Sequence, residues 1–201
     1  MKALTQLTFP SFSCVVHQEA KNGRACCGDS YYVDEYGGDY FVVAIADGLG
    51  SGLEARSASE KAISLVHQRH YLPVTELVSH INTQLFGTRG VVFAVVKFFP
   101  QHGYAEFSGV GNIVFTLYAS TGKRTRMLSL PGYLDGRRAQ IRKERFAYTL
   151  GDRFVMYSDG IVPRAEWADV FQTVNTPLEG LNAIRHMWKA QNDDITVIVG
   201  G

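Results

Sequence analysis

The chain has little of what marks a specialised composition. Its 201 residues include three cysteines, Cys14, Cys26 and Cys27, an odd number with no C-x-x-C pair among them. Adjacent Cys26 and Cys27 are badly placed to bridge each other, so we read them as reduced thiols of a cytoplasmic protein. The six histidines, His17, His67, His70, His80, His102 and His186, are scattered singly and lack the ligand spacing of a zinc site. An excess of one charge is also missing: 20 Lys and Arg against 19 Asp and Glu leave a net charge of +1. Neither nucleic acid nor an anionic membrane surface is therefore an expected partner. The longest apolar run, Tyr40–Ala46, falls far short of the roughly 20 residues that cross a bilayer. The opening MKALTQLTFP has no sustained apolar stretch, so no signal peptide is expected. No repeat, low-complexity tract or Pro/Ser-rich linker divides the chain, and one domain over residues 1–201 is the expectation.

What is present is material for a core. Hydrophobic residues make up 46% and charged residues 19%, a balance that excludes a disordered chain. Strand-like runs rich in Val, Ile, Phe and Tyr occur at Tyr40–Ala46, Val91–Phe99, Ile113–Tyr118, Phe154–Tyr157 and Ile195–Val199. Several are continuous rather than alternating, which suits strands covered on both faces. Helix signals follow Ser51, where Ser51 and Glu54 read as a capping box, then Pro73, then Thr176 with Pro177 and Glu179. Strands outnumber helices and short turns join many of them, so the pattern predicts antiparallel sheet with helices packed outside it.

The acidic residues fall at strand ends. VVAIAD47-Gly48 and FVMYSD159-Gly160 share one design, an apolar strand running out to Asp-Gly, while Asp193-Asp194 and Asp29 stand before strands. In an antiparallel sheet the ends of some strands and the starts of others lie along one edge, where these carboxylates would converge. Converging carboxylates raise each other's pKa unless a cation neutralises them, and an all-oxygen donor set selects Mg²⁺ or Mn²⁺. A single Asp-Gly after a strand is equally an ordinary turn, so spacing alone leaves both readings open.

The blocks CGDS (27–30), VAIADGLGSG (43–52), FSGVGN (107–112), MYSDG (156–160) and NDDITV (192–197) resemble, in order, the signature motifs of the PPM-type metal-dependent serine/threonine phosphatases. The likeness extends over nearly the whole chain and is greatest to the short bacterial branch that serves the stressosome. It implies an α+β fold, a four-layer α-β-β-α sandwich of two antiparallel sheets flanked by helices. It also implies two Mn²⁺ or Mg²⁺ ions and hydrolysis by metal-activated water with no phospho-enzyme. By position, Asp47 matches the carboxylate shared by both ions and Gly48 the residue lending its carbonyl. Asp159 matches a ligand of the other ion, Asp193 ranks above Asp194 at the last metal motif, and Asp29 matches an acid acting partly through water. Arg24, five positions before Asp29, matches the phosphate-binding arginine; a solvated loop arginine reads nearly as well. The implied substrates are phosphorylated STAS-domain scaffold proteins of a stressosome, acted on by a monomer.

Two departures from the larger family members stand out: Gly28 where they carry Glu, and Leu49 where they carry a His that can protonate the leaving group. Slower turnover is the expected result. Gly109, Gly111, Asn112 and Gly132 read as turn residues supporting the site. The basic stretch Arg137, Arg138, Arg142, Lys143 and Arg145 reads either as a surface for an acidic phosphoprotein or as a solvated hairpin flank. Rival functions are a non-catalytic module of the same fold and a phosphatase for small phosphomonoesters such as free phosphoserine.

Overall fold

A computed structural model describes residues 2–21, 24 and 26–201. The most continuous apolar runs become its central strands. Strand β4 (Tyr40–Gly48) and strand β5 (Val91–Phe99), numbered by their place in the chain, pair antiparallel and are buried along nearly their whole length. They lie inside a five-stranded sheet ordered β3-β4-β5-β6-β9, completed by β3 (Asp29–Tyr36), β6 (Tyr104–Val110) and β9 (Glu144–Ala147). A six-stranded sheet packs against it, ordered β1-β2-β13-β10-β7-β8. Its strands are β1 (Lys2–Thr8), β2 (Ser13–Glu19), β7 (Val114–Tyr118), β8 (Arg124–Leu128), β10 (Arg153–Tyr157) and β13 (Ile195–Gly200). A short pair, β11 (Ile161–Val162) and β12 (Lys189–Ala190), stands apart.

The two sheets bury an aromatic core that includes Phe41, Phe98, Phe115 and Phe154. On the far face of the five-stranded sheet lie α1 (Leu53–Arg69) and α2 (Val74–Gln84). Helix α1 presents Ala55, Ala58, Ala62 and Val66, whose small side chains let its axis approach the sheet. On the far face of the six-stranded sheet, α3 (Trp167–Thr173) and α4 (Pro177–Arg185) bury Trp167, Phe171, Leu181 and Ile184. The four-layer α-β-β-α architecture is the one anticipated, and the continuous runs are covered on both faces, as their pattern required. No helix among the described residues is long and apolar enough to cross a membrane.

Local signals fared unevenly. Thr176 and Glu179 form the reciprocal capping box at α4. The box expected at Ser51 and Glu54 does not form: Gly52 is the N-cap of α1, at φ 81°, and no side chain caps it. Glu54 instead pairs with Arg89. Gly109 lies within β6 rather than in a turn, whereas Gly111, at φ 115°, makes the bend that follows.

Candidate metal centre

Antiparallel pairing brings the acidic ends together. Asp29 opens β3 and Asp47 lies near the end of β4, and the two are direct cross-strand partners. In the other sheet β10 ends at Tyr157, just before Asp159, and its antiparallel partner β13 begins at Ile195, just after Asp193 and Asp194. The two sheets therefore deliver these acids to one end of the sandwich.

The electrostatics record how close they come. Asp47 has its pKa raised by burial and then by the charges of Asp29, Asp159 and Asp193. Asp159 is raised by burial and by Asp193. Asp29 is raised by burial above all, against the hydrogen bonds that favour its ionised form. Repulsion of this kind is the mark of a site built for a counter-charge.

Hydrogen bonds from distant parts of the chain hold the cluster in place. The Ser158 hydroxyl donates to Asp29 Oδ2 at 2.8 Å and accepts from the Thr196 amide at 3.0 Å, joining β3 to the β10–β13 end. Gln18 Nε2 donates to the Asp29 carbonyl and to Thr196 Oγ1. Asn112 Nδ2 donates to Asp159 Oδ2 at 2.6 Å, so the turn residue of FSGVGN aims a candidate ligand. Lys21 Nζ lies 3.7 Å from Asp193 Oδ1. Of these helpers only Asn112 was marked in the sequence, as a supporting turn residue. Ser158, Gln18 and Lys21 carry no spacing signal, because their partners are set by the meeting of the sheets.

Asp194 behaves differently from its neighbour. Its two carboxylate oxygens accept the backbone amides of Lys21 and Gly28, at 2.8 and 2.9 Å. It is buried, whereas the Asp193 side chain keeps 46% of its surface exposed. Arg24 is exposed on the same β2–β3 connection, its amide bonded to the Lys21 carbonyl. Residues 22, 23 and 25 beside it lie outside the described residues. Leu49 packs against the core between the sheets and presents no proton donor.

No three or more His, Cys, Asp or Glu among the described residues converge tightly enough to enclose an ion as they stand. The backbone nonetheless fits divalent metal on three counts. Asp29 Oδ1 is buried without a hydrogen-bond partner among the described residues, an acceptor waiting for a cation. A Cβ on Gly48 would lie 1.9 Å from the Ala55 carbonyl oxygen, a clash with backbone, so only glycine permits this close approach beside Asp47. The donors are oxygen throughout, the chemistry of Mg²⁺ and Mn²⁺.

Comparison with known proteins agrees with this geometry. Residues 37–200 match the family model described as Stage II sporulation protein E (SpoIIE). The chain belongs to the SpoIIE family. It is thereby a PP2C-type, metal-dependent phosphatase domain of the PPM class. Among curated relatives, "Phosphoserine phosphatase RsbX" of Bacillus subtilis (strain 168) is 27% identical over 187 residues, 92% of each chain. A crystal structure of RsbX in complex with magnesium superposes with a TM-score of 0.90 at 24% identity, covering 98% of both chains. A chain solved in a study of the bacterial stressosome matches with a TM-score of 0.85 at 28% identity, over 94% of this chain and 99% of that one. The catalytic domain of the phosphatase PstP with two manganese ions shares the fold, with a TM-score of 0.74 at 16% identity over 94% and 97%.

Proposed function

We propose that this domain, residues 1–201, is a cytoplasmic Mn²⁺- or Mg²⁺-dependent phosphatase acting as a monomer. It removes phosphate from phosphoserine and phosphothreonine on STAS-domain scaffold proteins of a stressosome, resetting the stress signal. The observation that carries the reading is Asp47, a half-buried carboxylate facing three others. Support for the substrate comes from the curated relative, named a phosphoserine phosphatase, and from the stressosome-derived structure.

In this reading Asp47, the Gly48 carbonyl, Asp159 and Asp193 would hold the divalent ions, with Asp29 acting on them partly through water. Divalent ions held in this way supply an activated water and neutralise the phosphoryl oxygens. The chain's own residues supply the frame: Ser158 orients Asp29, Asn112 orients Asp159, and Asp194 fixes the segment that carries Gly28. Arg24 offers paired donors to the phosphate. Asp159 stands exposed at the open end of the sandwich, which suits a phosphorylated residue on a protein surface better than a small enclosed ester.

The test is release of phosphate from an aryl phosphate, with and without Mn²⁺, by the wild-type chain and by Asp47→Asn. The reading requires metal-dependent release that the variant loses by at least a hundredfold. Equal release by both, or none by either, overturns it. Phosphorylated STAS scaffold against free phosphoserine then decides the substrate.

A further inference from the structure

Beside the acidic end, three apolar side chains stand in water. Leu53 is 78% exposed, Phe86 75% and Tyr133 48%. Isolated exposed apolar residues are common and mean little, but these three belong to segments that touch one another. Leu53 begins α1, Phe86 follows α2, and Tyr133 lies on the connection from β8 to β9. Gly136 of that connection packs so closely on Phe86 that a Cβ there would lie 2.5 Å from the Phe86 Cα. Two open hollows lie on these segments. One, of about 560 Å³, is lined by Leu53, Glu54 and Arg89 among others; the second, of about 380 Å³, by Tyr133, Asp135, Arg137 and Arg138 among others.

Hydrogen bonds tie this surface to the strand beside Gly48. Leu134 exchanges both backbone hydrogen bonds with Val91, the residue paired with Gly48 across β4 and β5. Buried Asn82 uses both ends of its amide to clamp the loop: Nδ2 donates to the Arg137 carbonyl at 2.6 Å and Oδ1 accepts from the Gly136 amide at 3.2 Å. On the other side Arg89 borders Gly50, three residues after Asp47.

The charges choose the occupant. Lys143 and Arg145 are both engaged by Glu106, and Arg142 by Glu144, so that part of the basic stretch is a hairpin flank. Arg137 is 81% exposed; it pairs with Asp135 at 3.5 Å, and that carboxylate also accepts its amide. Arg138 is exposed and forms no ion pair among the described residues. Aromatic and arginine side chains on a fixed frame are the usual anchors of a protein interface. Resting on the phosphatase reading, we propose that this surface docks the substrate protein: Phe86 and Tyr133 take apolar side chains, and Arg137 and Arg138 meet acidic residues flanking the phosphorylated serine or threonine.

The test compares wild type with Phe86→Ser and with the double variant Arg137→Glu/Arg138→Glu, all exposed positions, after checking that thermal unfolding is unchanged. Three probes are used: an aryl phosphate too small to span the surface, and two phosphoserine peptides, one flanked by Asp, Glu and Leu, the other by Lys and Ser. Binding of both peptides to metal-free protein is followed by fluorescence anisotropy, and turnover is followed with Mn²⁺. Wild type should bind the acidic peptide at least tenfold more tightly than the basic one, and each variant should lose about tenfold in binding and in kcat/KM on it. Aryl phosphate turnover should stay within twofold. Equal binding of the two peptides by wild type, or variants that leave peptide binding intact, overturns the docking proposal. So does a variant that alters only self-association in sedimentation, which would make the face a contact with a second copy. Failure of the phosphatase reading shows separately, as absence of metal-dependent aryl phosphate release with peptide binding retained.

Discussion

The carboxylate of Asp194 accepts the amide of Gly28 at 2.9 Å across 166 positions of sequence. With the Lys21 amide on its other oxygen, it ties the β2–β3 connection, which carries Arg24 and Asp29, to the start of β13. Removing an acceptor from two amides costs about 1–3 kcal/mol. Asp194→Ala should therefore lower the thermal midpoint and weaken Mn²⁺ binding together. Asp194→Asn, which keeps one acceptor oxygen, should do about half as much. Differential scanning calorimetry with and without Mn²⁺ checks both.

Gly28 is fixed by the same contact. A Cβ there would lie 2.9 Å from Asp194 Oδ2, closer than real side chains allow. Gly28→Ala should displace the carboxylate and reproduce part of the Asp194→Ala loss in metal affinity, measured by calorimetric titration.

Ser158 is buried and serves two partners, Asp29 Oδ2 and the Thr196 amide. Ser158→Ala leaves both unpaired, with an expected cost of about 1–3 kcal/mol. It also removes a hydrogen bond that holds down the pKa of Asp29. The pH at which Mn²⁺-dependent activity reaches half its maximum should then move upward, a readout that destabilisation alone would not shift.

The sign of the pH dependence without metal follows from Asp29 and Asp47, whose pKa values are both raised in the fold, chiefly by burial. The folded protein binds more protons than the unfolded chain, so this contribution is complete below the ordinary carboxylate range. It is lost as pH rises through the folded values. Metal-free protein should melt at lower temperature as pH rises from 5 to 9. Mn²⁺ should restore more stability at the high end, because binding needs the deprotonated acids. Thermal scans at several pH values, with chelator and with Mn²⁺, measure the difference.

Asp47→Asn carries a second consequence. At pH values high enough to ionise Asp47, removing its charge from a mutually repelling set relieves metal-free protein, so the melting temperature in chelator should there equal or exceed that of wild type. The Mn²⁺-induced gain should vanish.

Much of the frame was legible in the chain because it rests on local pattern. The runs around Val43, Val95 and Val197 predicted buried strands, and the Asp-Gly blocks marked strand ends. Other elements were hidden for physical reasons. Strand β1 is an edge strand of mixed polarity, exposed at every second residue, and α3 is only 7 residues long. Ser51 offered the right residue type for a cap, but Gly52 took the position and Arg89 drew Glu54 away. Motif order singles out Asp29, Asp47, Asp159 and Asp193, and the fold brings the four to one end of the sandwich. Motif order ranks Asp194 below Asp193, and its oxygens accept two backbone amides. The helpers Ser158, Gln18 and Lys21 depend on contacts between sheets, which no spacing encodes. The basic stretch divides for the same reason: Glu106, its buried partner, lies on a neighbouring strand.

The central claim is that carboxylates from both sheets share divalent ions around Asp47. Anomalous diffraction at the manganese edge, from crystals grown in Mn²⁺, tests it most directly. The account predicts two peaks within coordination distance of Asp47, one also reached by the Gly48 carbonyl and the other by Asp159 and Asp193. Crystals showing no anomalous density among these side chains, or manganese bound only elsewhere, would contradict it.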